Sequence, residues 1–198
     1  MSDEPLALVI RPFADADLPA VRALFVQVNR DLAPHTMRDA FEAYIARSLR
    51  EEIDRIPAYY AERQGGFWVG HDQDGALLGT FGIERAAEDG AAELRRMYVQ
   101  PSARRRGVAR TMLARAEVEA RRAGYRRIVL STSELQHAAL AFYRGAGYEA
   151  LGEELATAAT NKTVGGGIRR FHSQSGCRPE PAAHGLRAVS ATAQIRFT

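Results

Sequence analysis

Between Glu93 and Leu113 the chain reads ELRRMYVQPSARRRGVARTML, and these residue types at this spacing are suited to holding an anion. An apolar strand ending in Met97-Tyr98-Val99 passes through a turn at Pro101 into Arg104-Arg105-Arg106-Gly107-Val108-Ala109, which opens a helix. The first turn of a helix carries backbone N–H groups without partners inside the helix and about half a positive charge. Gly107 and Ala109 keep side chains away from that backbone, so a phosphate can approach it closely. Three adjacent arginines add fixed positive charge. The chemistry implied is capture of a pyrophosphate on main-chain amides.

Arg104-x-x-Gly107-x-Ala109 after such a strand resembles the acetyl-CoA signature of the GNAT acetyltransferase superfamily, Q/R-x-x-G-x-G/A. The likeness is strengthened downstream by Ala139-Leu140-Ala141-Phe142-Tyr143-Arg144-Gly145-Ala146-Gly147-Tyr148, similar to the family's A-x-x-x-Y-x-x-x-G-[FY] segment. It covers roughly residues 6–172. Ser48–Ile53, Gly66–Val69 and Leu130–Gln136 also look similar to the camello-like branch, whose membrane-embedded segment this chain lacks.

The resemblance implies a GNAT fold: an α/β domain with a twisted mixed sheet of six to seven strands, flanked by about four helices and splayed near its middle. It implies acetyl-CoA as co-substrate, with backbone groups of Met97 and Val99 toward the pantetheine arm. Amides of Arg105, Arg106, Gly107, Val108 and Ala109 would take the pyrophosphate, with Arg104 near it or near the 3′-phosphate. Gln136 matches a position where relatives often face the cofactor with asparagine. Homodimers are common among relatives.

Transfer from a thioester to an amine needs a neutral amine, juxtaposed reactants and a proton for the departing thiolate. Orientation supplies effective molarities of about 10⁵ M or more, and acid and base terms roughly 10²–10⁴-fold. Tyr143 matches the family's general acid; a phenol near pKa ~10 is protonated at neutral pH. Glu93, six residues before Val99, matches the general base of some protein-acetylating relatives. Strand alternation puts Glu93, Arg95, Met97 and Val99 on one face, and Arg95 would depress the Glu93 pKa. Glu84 is a reserve base. His35 lies in a loop where relatives shape the acceptor site, and Tyr59 and Tyr60 are candidates for its border. The expected activity is an N-acetyltransferase acting on a primary amine of a small molecule or peptide.

Length and composition bound this reading. At 198 residues, with 46% hydrophobic and 26% charged content, the chain fits one soluble domain. No apolar run approaches the ~18 residues of a membrane span, and Met1–Pro5 does not read as a signal peptide. A single cysteine, Cys177, excludes an intrachain disulfide and fits a cytoplasmic location. No Cys/His spacing for a metal occurs. The net charge of +3 invites a nucleic-acid reading, but the basic residues are almost all arginine, with Lys162 the one lysine. Only Tyr98 and Tyr125 fall among the arginines of 95–127 and no recognised nucleic-acid motif is present, so no nucleic-acid partner is expected. A catalytically idle acyl-CoA sensor is the remaining alternative.

Periodicity predicts strands at 6–13, 67–69, 76–84, 91–99, 128–130, 148–151 and 166–172. It predicts helices from Leu18 through Val28, along Phe41–Ile56 with a restart at Pro57, and at 107–123 and 136–146. Asp72–Gly75 reads as a hairpin turn. The domain is expected to span 1–172, leaving 173–198 as a disordered tail.

Overall fold

The computed structural model describes residues 7–133, 135–155 and 167–173. The expected tail begins at the end of the last strand, and residues 174–198 lie outside the described residues, as do Gly165 and Gly166.

Seven strands form one mixed sheet: β1 Val9–Pro12, β2 Gly66–His71, β3 Leu77–Arg85, β4 Ala91–Val99, β5 Arg127–Ser133, β6 Tyr148–Leu155 and β7 Gly167–Ser173, in the order β1-β2-β3-β4-β5-β7-β6. All neighbours are antiparallel except β4 and β5. The described helices are α1 Leu18–Leu32, α2 Arg38–Glu51, α3 Ile56–Glu62, α4 Val108–Arg122 and α5 His137–Gly145.

Helices cover both faces. On one, α4 and α5 pack Val108, Met112, Leu113, Leu140 and Tyr143 onto Phe81, Leu94 and Leu130. On the other, α1 to α3 pack Leu24, Phe25, Tyr44, Ile53 and Tyr60 onto Phe67 and Val69. Strand β3 is therefore buried along eight of its nine residues, the pattern of a strand covered on both sides. Trp68 stacks on its cross-strand partner Phe81 at 5.2 Å, so its ring packs on the sheet.

Local chemistry explains the main boundaries. Asp17 does not cap α1 directly. Its carboxylate accepts the Ala14 amide at 2.8 Å and two Arg11 bonds at 2.7 Å, closing a 3₁₀ turn before the helix. The predicted stripe Phe41–Ile56 breaks at Glu52, five residues before Pro57, where φ is −133° and ψ −60°. Pro57 then sits in the first turn of α3, where it forfeits no helical bond.

Gly82 marks a close approach. A Cβ there would stand 2.2 Å from the hydroxyl of Tyr60, a side chain 2% exposed. Gly82→Ala is expected to lower unfolding free energy by about 1–3 kcal/mol, the usual cost of overpacking. A denaturant midpoint equal to wild type would show that Tyr60 has room to move.

Candidate active site

The site begins with the break between α2 and α3. There Glu52 turns its carboxylate under the sheet, with none of its surface exposed. Arg96 Nε donates to it at 2.9 Å and Arg95 Nη2 at 2.9 Å; the Tyr60 hydroxyl donates at 2.8 Å. Arg96 Nη2 makes a further short bond to Oε2. Burial by itself would push this carboxyl upward, but the guanidiniums of Arg96 and Arg95 outweigh that and hold it at about 2.

Glu52 accepts from two consecutive residues of one strand, so β4 cannot keep its alternation. Arg96 takes φ +52°, and the register with β3 slips between Thr80 and Gly82. The Arg96 carbonyl is caught by the Thr80 hydroxyl at 2.9 Å. This is a β-bulge, and a non-glycine residue in the left-handed region costs on the order of 1–3 kcal/mol unless its surroundings enforce it. The predicted common face of Glu93, Arg95, Met97 and Val99 is thereby corrected. Arg95 and Arg96 both turn toward Glu52, whereas Met97 and Val99 pack with Leu94 on the α4 side.

The bulge also parts the sheet. Strand β4 pairs with β5 only from Ala91 to Leu94, although it runs on to Val99. Beyond Leu130, β5 continues against β7. The Gln100 amide bonds to the Leu78 carbonyl on β3, so antiparallel alternation turns the peptide groups of Val99 and Met97 to the vacated edge. A cleft opens there. Its floor holds Glu93 and Leu94, one wall carries Thr132, Gln136 and Tyr143, and the other Asn29, Leu32 and Tyr44.

Tyr143, one turn from the end of α5, is 7% exposed and reaches across the cleft; its hydroxyl lies 3.6 Å from Met97 Sδ. Burial pushes this phenol above its ordinary value, so it is a neutral donor at physiological pH. Gln136 precedes α5, with the Thr132 hydroxyl donating to its side-chain oxygen at 3.2 Å.

Past Val99 a 3₁₀ turn, Pro101–Ala103, leads to Gly107 at φ +82°, immediately before α4. A Cβ on Gly107 would meet nothing within 4 Å. The first backbone bond into the helix is the Thr111 amide to the Gly107 carbonyl. Among the described residues no backbone–backbone bond uses the amides of Arg105 to Arg110, and no side chain caps the helix. A run of amides without backbone partners therefore stands at the end of the open β4 edge.

A sequence model described as the acetyltransferase (GNAT) family matches residues 30–148, from α1 to the start of β6. The chain belongs to this family. No curated protein matches it. Solved structures share the fold at low identity. A GNAT-family acetyltransferase from Staphylococcus aureus Mu50 is 14% identical with a TM-score of 0.66, over 84% of this chain and 98% of that one. The PaiA N-acetyltransferase of Thermoplasma acidophilum, in complex with coenzyme A, is 16% identical with a TM-score of 0.66, over 85% and 99%. A GCN5-related N-acetyltransferase from Kribbella flavida is 24% identical with a TM-score of 0.60, over 84% and 96%. As a GNAT member the chain is an acyltransferase that uses acetyl-CoA.

Other expectations fare differently in this GNAT domain. His35 sits in a 3₁₀ turn between α1 and α2 and is not among the residues lining the cleft. Tyr59 and Tyr60 do not border it either: Tyr60 is spent on Glu52, and the Tyr59 ring lies 3.7 Å under the Arg63 guanidinium. Glu52, Arg96 and Tyr44 are site-forming residues that periodicity hid inside an apolar stripe and a strand. Two signals pointed to Glu52 and Arg96: a carboxylate embedded beside Ile53, and two successive arginines in a strand whose other charged residue is Glu93. No helix among the described residues is long and apolar enough to cross a membrane.

Proposed function

We propose that this protein is a cytoplasmic N-acetyltransferase that moves the acetyl group directly from the CoA thioester to a primary amine in a ternary complex. The domain responsible spans residues 1–172. One observation carries the reading: the neutral phenol of Tyr143 stands against Met97 at the mouth of an unpaired strand edge that runs into an anion cradle.

In this reading acetyl-CoA lies along β4 as an added strand, bonded to the peptide groups of Met97 and Val99. Its pyrophosphate takes the amides of Arg105, Arg106, Gly107, Val108 and Ala109. Arg104 serves the 3′-phosphate or the pyrophosphate, and Gln136 faces the cofactor from the opposite wall. The acceptor enters between α1 and α2, past Leu32, Phe41 and Tyr44. Glu93 on the cleft floor withdraws the amine's proton, and Tyr143 donates to the departing thiolate. The burial that raises the phenol also raises the conjugate acid of the thiolate, so the two stay matched.

Acetyl-CoA at about 100 times its Kd is expected to stabilise the fold by about 2.7 kcal/mol, read as a rise in Tm. An unmoved Tm would remove the cradle. The decisive assay is release of free thiol from acetyl-CoA with amino acids, polyamines, aminoglycosides and peptides. Binding without turnover across that panel would leave the idle acyl-CoA sensor in its place.

A further inference from the structure

We propose that Glu84 is the relay partner of Glu93, carrying the proton that amine acetylation releases from the cleft floor toward solvent beside Arg63. The proposal rests on the reading of Glu93 as base and adds a second residue to that step.

Glu84 and Glu93 are in register on β3 and β4. Residues directly opposite in an antiparallel pair share a face, with Cβ atoms about 4.5–5.5 Å apart, and like charges there destabilise a sheet. Here both are buried, at 7% and 8% exposure. Their Oε1 atoms approach the same Arg95 Nη1, at 3.5 and 4.0 Å, while Arg95 Nη2 is committed to Glu52. One guanidinium thus serves three carboxylates. The second Glu84 oxygen, Oε2, is buried without a hydrogen-bond partner. Such an atom is costly to bury, and a place to hold a proton accounts for its retention.

Arg63 Nε stands 3.9 Å from that oxygen, and its side chain is 40% exposed. A row of ionic contacts, Glu93 to Arg95 to Glu84 to Arg63, therefore runs from the cleft floor to the surface. Five groups face Glu84: Glu93 and Arg95 from β4, Glu52 from the α2–α3 break, Tyr59 from α3 and Arg63 just after it. Burial raises the Glu84 pKa; Arg95 and Arg63 oppose this, while Glu93 and Glu52 add to it.

The proton balance requires an exit. An alkylammonium and a thioester give an amide, a thiol and one proton. The nitrogen forms a bond to the acyl carbon as the C–S bond breaks, and the nitrogen loses two protons. One ends on sulfur, by way of Tyr143. The other passes to Glu93, then Glu84, then water.

Two measurements on the full chain test this. The first is a ¹³C-glutamate carboxyl NMR titration of wild type and Glu93→Gln, which needs no acceptor. The Glu84 midpoint is expected to fall by about half a unit or more when the neighbouring charge is removed. A Glu84 midpoint indifferent to Glu93→Gln overturns the relay.

The second is kinetic, with the panel amine turned over fastest. Glu84→Gln should lower kcat about three- to tenfold with an unchanged KM for acetyl-CoA. It should also change the pH profile of kcat/KM, a readout that a merely structural loss would not move. The double variant Glu84→Gln/Glu93→Gln should be no slower than Glu93→Gln alone, whereas a merely structural loss would add. Glu93→Gln with wild-type turnover removes the base and the relay together. A slow Glu93→Gln beside a wild-type Glu84→Gln removes the relay alone.

Discussion

Tyr143→Phe is expected to lower kcat on the order of 10²-fold while leaving the KM for acetyl-CoA within about twofold. The hydroxyl is the only group removed. The ring keeps its contacts with Phe142 and Tyr148, at 5.2 and 5.7 Å between centroids, so the fold and the cofactor groove survive. What is lost is a donor at the point where negative charge develops on sulfur, an interaction that strengthens only in the transition state. Burial pushes the phenol upward, so its protonated form persists to higher pH than a free tyrosine's. Wild-type kcat should accordingly show no alkaline decline attributable to this group below about pH 10. Steady-state kinetics of thiol release across pH decides the matter, and equal turnover in the two proteins would remove Tyr143 from the reaction.

Glu52→Ala should cost about 3–5 kcal/mol of folding free energy, because it strands the buried Arg96 guanidinium without its counter-ion and takes from Arg95 its nearest carboxylate. That is a large fraction of the ~5–15 kcal/mol that stabilises a typical domain. The same carboxylate makes a pH prediction. Its folded pKa of about 2 lies below the ordinary 4.5, so its contribution is complete above pH 4.5. It is lost as pH falls through about 2. The amount at stake is about 3 kcal/mol. Acid unfolding of wild type between those limits should therefore be steeper than that of Glu52→Gln, in which no carboxyl titrates there. Identical acid profiles would show that Arg95 and Arg96 find other partners. Since Glu52 also holds the bulge at Arg96, the variant should bind acetyl-CoA more weakly than wild type, as measured by calorimetry.

Much of this architecture was legible in one dimension. Strands alternating with helices, the Asp72–Gly75 turn and the glycine ahead of α4 each follow from local rules, and the structure places them within a few residues of expectation. Pro57 predicts a kink or a helix restart, and α3 begins beside it. The break itself falls at Glu52 because a buried pair of arginines draws that carboxylate inward, a cause 43 and 44 residues away in sequence. Period-2 alternation likewise failed in β4, where an ion pair from another element overrode the pleat.

The sequence alone pointed to a helix opening at Gly107, whose first amides lack partners inside the helix, and it determined the family through the segments around Gly107 and Tyr143. Only the tertiary structure decided that β4 bulges at Arg96 and parts from β5, that Tyr143 meets Met97 across the gap, and that Glu84 lies against Glu93. Those outcomes depend on charges and rings brought together from distant elements, where desolvation multiplies each interaction. No local pattern encodes which partner a buried charge will find.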